Sequence, residues 1–244
     1  MRRLRGMSLV VAATALIAGF ASWPPSVAAG DHPSSSTVMP CRVGAPAPSS
    51  ALGKNPYGGR YTLSVPPTVL GCGHSRFGRI ILVGHAIRRP AEFCFGVYVP
   101  KLGVLSGGGC KPQHEPWAGR LCPSGFCILN AFGVDDRPKS GFLAKVVSGI
   151  STSPLTQVEV IVRQAGRRQG FPATVGSISG RLAERFGQRE PFVVFGTAVP
   201  CVAEKAISVE GLDGTERLTA TPSPYPELFK QACHPSPPPA AHGA

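Results

Sequence analysis

Residues 94–110 read CFGVYVPKLGVLSGGGC, and this stretch decides the interpretation of the fold. Aromatic and β-branched residues follow Cys94, and three glycines at 107–109 precede Cys110. Because β-branched and aromatic side chains favour strands and glycine favours turns, the pattern predicts two strands joined at the glycines. Another apolar run lies at 126–129. The four cysteines between residues 94 and 127 therefore predict a sheet tied together by disulfide bonds.

The composition of the whole chain favours the same class. It has 244 residues, of which 43% are hydrophobic and 16% charged, with 30 glycines and 26 prolines. So many turn-forming residues favour short strands over long helices, and we expect an all-β protein of antiparallel sheets. Six strand candidates between residues 138 and 222 predict an immunoglobulin-like sandwich in the C-terminal half.

The N-terminus has the pattern of a signal peptide. Three arginines, at positions 2, 3 and 5, precede an apolar run at 7–21, and small residues end it at 27–29. The run is shorter than the roughly 20 residues that span a bilayer. We therefore predict cleavage after Ala29, export to an extracytoplasmic location and no membrane span in the mature chain.

Export changes how the cysteines are interpreted. An even number in an oxidising compartment predicts disulfide bonds, here four of them, although eight cysteines allow about 100 pairings. We predict two of the bonds, Cys94 with Cys110 and Cys201 with Cys233. All eight cysteines lie in the mature chain: Cys41, Cys72, Cys94, Cys110, Cys122, Cys127, Cys201 and Cys233.

The order of these features predicts five segments. A long loop at 111–125 contains Trp117, which we expect to cover a small core. Turn signals predict hairpins at 88–91 and at Asp213-Gly214, and a short helix is expected at 179–186. The segments are a signal peptide at 1–29, a linker at 30–56, a cysteine-rich β domain at 57–137, the sandwich at 138–222 and a proline-rich tail at 223–244.

Several stretches together resemble a group of secreted bacterial proteins. They are FCFGVYVPKLGVLSGGGC, LTQVEVIVR, PFVVFGTAVP and ISVEGLDGTERL, within residues 75–221. The chain is similar in these to immunoglobulin-like β-sandwich proteins of unassigned function from high-GC Gram-positive bacteria. The resemblance implies a β-sandwich with an extracytoplasmic address and transfers no catalytic residue.

The charge of the chain points to anionic partners. Loss of the three N-terminal arginines lowers the formal net charge from +12 to +9. Such a charge favours cell-wall polymers or acidic glycans, although it also serves solubility alone. Arg88, Arg89, Arg167 and Arg168 are the candidate ligand-binding residues, because two arginine pairs at predicted turn tips reach solvent and suit phosphate or carboxylate groups.

A catalytic cysteine is the alternative with the best support. The segment SGGGCKP resembles the S-H-G-C motif of L,D-transpeptidases, with Cys110 as nucleophile and His85 or His114 as the base. However, only Gly109 and Cys110 match, and a disulfide-bonded cysteine cannot attack a substrate. We therefore expect no catalytic residue here.

Other chemistries have weaker support. No serine lies in a context such as G-x-S-x-G, which argues against a serine protease. The histidines are scattered and Cys122 and Cys127 are separated by four residues, so no metal site is expected. We predict a secreted, non-catalytic binding or envelope-associated module without a cofactor or a specific nucleic-acid partner. A purely structural or adhesive surface protein is the remaining alternative.

Overall fold

The structure, a computed structural model, describes residues 41–48, 62–116, 122–135, 143–202 and 206–222. Most of these residues are in strands, and the described helices are a 3-10 helix at Pro100–Leu102 and the short helix α1 at Gly180–Arg185. The prediction of an all-β fold is confirmed. The described strands are β1 Leu63–Ser75, β2 Gly78–Ile87, β3 Glu92–Val99, β4 Val104–Pro112, β5 Phe126–Asp135, β6 Leu143–Ser151, β7 Gln157–Gln164, β8 Arg167–Pro172, β9 Thr174–Ile178, β10 Phe192–Pro200, β11 Ile207–Asp213, β12 Glu216–Thr219 and β13 Thr221–Pro222.

These strands form three sheets. Sheet I has the order β1-β2-β3-β4, sheet II the order β13-β5-β6-β10-β9, and sheet III the order β12-β11-β7-β8. Pairing is antiparallel except between β13 and β5. The hairpins predicted at 88–91 and at Asp213-Gly214 are confirmed as the β2–β3 and β11–β12 turns.

Sheet II is the middle layer, and both of its faces are buried. Val194 of β10 belongs to a core shared with sheet I, whereas Val193 and Phe195 belong to a core shared with sheet III. A strand that is buried on both faces needs a continuous apolar run, which is what FVVFGTAVP supplies. By contrast, β7 alternates: Val158, Val160 and Val162 face the second core.

Sheets I and II also meet along their edges. Strand β1 lies beside β9, and β4 lies beside β5. A Cβ atom on Gly71 would lie 2.8 Å from the carbonyl oxygen of Val175, and one on Gly176 would lie 2.6 Å from that of Leu70. Glycine is therefore needed here for the close approach of two backbones.

The β3–β4 connection differs from the prediction. The run 106–109, expected to form the turn, lies inside β4, and the chain turns earlier, in the 3-10 helix. That helix ends at Gly103, whose φ of 62° is in the left-handed region. The register shifts between Phe95 and Gly96, so that Gly108 is an extra, bulged residue.

Three disulfide bonds join described cysteines. They are Cys41–Cys72, Cys94–Cys110 and Cys122–Cys127, and they hold the segment 41–48 on β1, β3 on β4, and the start of β5. The predicted pairing of Cys94 with Cys110 is confirmed. Cys201 is also disulfide-bonded, but its predicted partner Cys233 lies outside the described residues.

The described residues all belong to one compact unit, Pro40–Ala244. The boundary predicted at 137/138 falls between β5 and β6, which are neighbours in sheet II. Sheets II and III pack face to face as a sandwich does, but sheet II also packs on sheet I, and an immunoglobulin-like topology stays a prediction. Residues 1–29 and 223–244, most of the linker at 30–56, and Trp117 lie outside the described residues.

Candidate functional site

The four predicted arginines are all exposed, but they occupy different positions. Arg88 and Arg89 lie in the β2–β3 turn. The β7–β8 turn is formed by Ala165 and Gly166, and Arg167 and Arg168 are the first two residues of β8. The second pair is therefore part of an edge strand of sheet III.

The structure does not bring the two pairs together. Residues 74–76 of the β1–β2 turn and 169–172 of β8 line one cavity, so β8 lies near the start of β2. Arg88 and Arg89 follow the other end of β2, and a ten-residue strand spans about 33 Å. One small ligand cannot contact both pairs.

Arg168 is engaged in an ion pair on the solvent-facing side of sheet III. Its Nη2 donates to both carboxylate oxygens of Glu210, at 2.9 and 3.0 Å, and Arg217 donates to the same carboxylate at 2.8 Å. Strand β7 lies between β8 and β11, so the ion pair passes over Ile161. This explains why Ile161, which breaks the alternation of β7, is fully buried.

The cavity between the β1–β2 turn and β8 is the best candidate for a binding site, and we call it the junction cavity. Its volume is about 370 Å³, and it is lined by residues 74–76 and 169–172 together with Thr197 of sheet II. The hydroxyl of Thr197 donates to the carbonyl of Pro172 at 3.1 Å, which fixes β8 on the central layer. Among the described residues that line this cavity, none is an aspartate or a glutamate.

One cationic side chain, Arg76, lines the junction cavity, and further cationic residues lie on three segments next to it. Arg76 lies 5.2 Å from the ring centre of Phe77, and Arg79 is the cross-strand neighbour of the lining residue His74. Lys101, from the 3-10 helix, packs beside the β1–β2 turn.

From the third segment, Arg167 comes two residues before the lining residue Gln169. The carboxylate of Glu159 lies over Gly170 on the solvent-facing side of sheet III. The described lining of the cavity therefore offers the guanidinium group of Arg76 and no carboxylate, and a guanidinium group binds phosphate, sulfate or carboxylate.

The candidate nucleophile is not available. Cys110 is bonded to Cys94, so it has no thiolate, and none of the described cysteines is free. His85 does lie beside this bridge, since it pairs with Cys94 across β2 and β3, and burial lowers its pKa. Glu92 groups with both sulfur atoms as metal ligands do, but bridged cysteines are poor ligands.

A buried lysine lies where the sequence predicts a loop. Lys111 lies on β4, and only 3% of its surface is exposed. It lines a second cavity, at the end of the molecule near Arg88 and Arg89. The backbone N–H of Gln113, another lining residue, donates to the carbonyl of Ala91 in the β2–β3 turn. In the sequence, this segment stands out only because Cys110 precedes it as a possible nucleophile.

Comparisons with known proteins give no family. No protein-family model matches this chain, and no curated protein or solved structure is significantly similar to it. Within the described part of the chain, no helix has the length and apolar character to cross a bilayer.

Proposed function

We propose that the protein is a secreted, non-catalytic binding module for an anionic polymer such as a cell-wall polymer or an acidic glycan. The N-terminal signal pattern and the disulfide bonds support an extracytoplasmic location, and the resemblance to secreted β-sandwich proteins agrees with it. The mature charge of +9 supports an anionic partner. These features concern the whole chain and do not choose a site.

One observation favours the site: the described lining of the junction cavity contains Arg76 and no carboxylate, and Arg79, Lys101 and Arg167 lie on adjoining segments. Net charge brings a polyanion close to the protein from a distance, within the Debye length of about 8 Å in physiological salt. A concave site with a guanidinium group then fixes an anionic group by paired hydrogen bonds. A flat basic surface would provide attraction without saturation.

The other two functions make different requirements. A cysteine-dependent transferase needs a free thiolate at Cys110, which the bond to Cys94 removes. A purely structural or adhesive protein needs no saturable ligand. The proposed function is therefore tested by saturable binding that depends on named residues.

The test measures binding of soluble polyphosphate and of heparin to the mature protein by calorimetry at about 0.15 M salt. The variant Arg76→Glu/Arg167→Glu carries two charge reversals beside the junction cavity. We expect it to lose about tenfold in affinity, since each exposed ion pair contributes up to about 1 kcal/mol.

The matched control is Arg88→Glu/Arg89→Glu, which changes the net charge equally at the far end of β2. We expect this control to lose less than about twofold in affinity. An equal loss in both variants would mean that net charge alone attracts the polyanion. Loss confined to the control would move the site to the β2–β3 turn, and both results contradict the proposal.

A further inference from the structure

A second cavity lies at the opposite end of β2 from the junction cavity, and we call it the lysine cleft. It is formed where β4 ends and the chain continues through residues 113–116, opposite residues 188–192 that lead into β10. Its volume is about 180 Å³, which holds several water molecules or one small amino acid. The residues that matter for its chemistry are Lys111, His114, Glu115, Arg189, Glu190 and Phe192.

Lys111 forms the buried part of this cleft. It is the cross-strand neighbour of the fully buried Phe93, and its Nζ donates to the backbone carbonyl of Glu115. Burial lowers the pKa of Lys111, while the carboxylates of Glu115 and Glu190 act in the opposite direction. Both glutamates line the same cleft as Lys111.

The walls of the cleft rest on the core between sheets I and II. The ring of Phe93 packs edge-on against Phe186 at 4.9 Å and against Phe192 at 5.6 Å. The buried side chain of Gln188 donates from its amide nitrogen to the carbonyl of Phe186 at 3.2 Å. Because packed and hydrogen-bonded residues hold these walls, the cleft is formed before any ligand enters.

The charges of the cleft balance. Among the described residues that line the cleft, Lys111 and Arg189 supply two positive charges, and Glu115 and Glu190 supply two negative charges. A simple anion would face the two carboxylates, and a simple cation would face the two cationic groups, so either ion would be repelled by one of the two pairs. A small molecule that carries both charges keeps the site neutral, with its carboxylate near Lys111 and Arg189 and its ammonium near the two glutamates.

We propose that the lysine cleft binds a zwitterionic group of amino-acid size, either a free α-amino acid or the equivalent group on a larger molecule. Phe192 contributes apolar surface against which a small side chain of the ligand packs. This site is separate from the junction cavity and does not depend on binding of a polyanion there.

The experiment uses alanine as the probe and two analogues that each lack one charge. N-acetylalanine has no ammonium group, and alaninamide has no carboxylate. Binding of D- and L-alanine, and of both analogues, is measured on the mature full chain by ligand-detected NMR. We expect a dissociation constant of about 1 mM for at least one alanine enantiomer, since so small a ligand makes few contacts. Both analogues should bind at least about tenfold more weakly.

Variants then assign the site. Glu190→Gln replaces an exposed carboxylate with an amide of the same shape, so that the fold is kept, and we expect alanine binding to fall by about tenfold. Glu184→Gln, on α1 and outside the cleft, makes the same chemical change and should leave binding unaltered. Lys111→Met keeps the apolar stem and should also weaken alanine binding by at least about tenfold. Because Lys111 is buried, the folding of this variant is checked by circular dichroism.

The proposal is overturned if neither enantiomer binds at about 50 mM, far above the expected dissociation constant. It is equally overturned if the singly charged analogues bind as well as alanine, or if Glu190→Gln and Glu184→Gln behave alike. Polyphosphate binding by the same Glu190→Gln protein should be unchanged, so failure at this cleft is distinct from failure at the junction cavity.

Discussion

Removal of the Cys94–Cys110 bond should destabilise the protein by about 3 kcal/mol, because this bond closes a loop of 16 residues. In the chain-entropy account a disulfide mainly restricts the unfolded chain, and the effect grows with the logarithm of the loop length. The same relation gives about 2 kcal/mol for Cys122–Cys127, which closes a loop of 5 residues. For Cys41–Cys72, with 31 residues, it gives about 3.7 kcal/mol.

The comparison of two alanine double variants isolates the loop term. In C94A/C110A and in C122A/C127A two sulfur atoms are lost from largely buried positions, so the packing cost is similar. The difference between their free energies of unfolding should therefore be about 1 kcal/mol, with C94A/C110A the less stable. C94A/C110A should still fold, since β3 and β4 remain paired on both sides of the bridge.

Urea denaturation followed by circular dichroism measures these free energies, with the remaining bonds left oxidised. The slope of free energy against urea should rise in the variants, because an unfolded chain with one fewer cross-link exposes more surface. The reasoning is refuted if C122A/C127A is as destabilised as C94A/C110A or more so. In that case local packing around the bonds, and not restriction of the unfolded chain, determines their contribution.

Three further predictions concern single residues. Burial lowers the pKa of His85 below the unfolded value of 6.5, so the unfolded state binds more protons below pH 7. The free energy of unfolding should therefore fall on acidification from pH 7 to 5, by at most about 1.4 kcal/mol per pH unit. His85→Leu should lose this dependence, as measured by urea titrations at each pH. The same pH dependence of stability in His85→Leu as in the original protein would contradict this prediction. In Gly149→Ala the new methyl group would overlap the carbonyl of Cys127 and the ring of Phe195. We therefore expect a loss of about 3 kcal/mol or more of unfolding free energy. Near-normal stability in urea would contradict this and would show that the backbone of sheet II shifts to make room for the methyl group. Glu210→Gln should cost less than about 1 kcal/mol of unfolding free energy, since its two arginine partners are at least half exposed. The freed guanidinium groups should raise the salt concentration needed to elute the protein from heparin, and a lower elution salt would contradict this expectation.

The strands were predictable because local pattern and burial agree in them. The alternation of Val158, Val160 and Val162 is typical of a strand with one buried face, as β7 has, and the continuous apolar run of β10 is typical of a strand covered on both sides. The sequence does not show that the two covering layers are different sheets. That arrangement depends on pairings between distant segments, such as β5 with β6 and β7 with β11.

The glycine run misled for a physical reason. Glycine favours turns when the backbone needs a positive φ, and Gly103 meets that need at the end of the 3-10 helix. Once the turn is made there, the glycines at 107–109 serve β4 instead, where one of them is accommodated as a bulge. Local preference could not distinguish between two candidate turns only a few residues apart.

The sites depended on contacts that no local pattern contains. Arg168 was correctly predicted to be exposed, but Glu210, which neutralises it, lies 42 residues further along the chain. Lys111 lies in a polar stretch, and its burial follows from its position opposite Phe93 and from residues 188–192. Neither the ion-pair partner of a charged residue nor its burial by distant segments can be anticipated from its neighbours in sequence.

The three-layer arrangement makes the two proposed sites independent of each other. The junction cavity needs sheet III, because β8 supplies one wall and Thr197 of sheet II holds it in place. The lysine cleft is built from β4 of sheet I and from the segment leading into β10 of sheet II, without a residue of sheet III among its described lining. A change that loosens β8 should therefore weaken polyanion binding and leave alanine binding intact. Loss of both activities together would indicate that the shared central sheet has been disturbed.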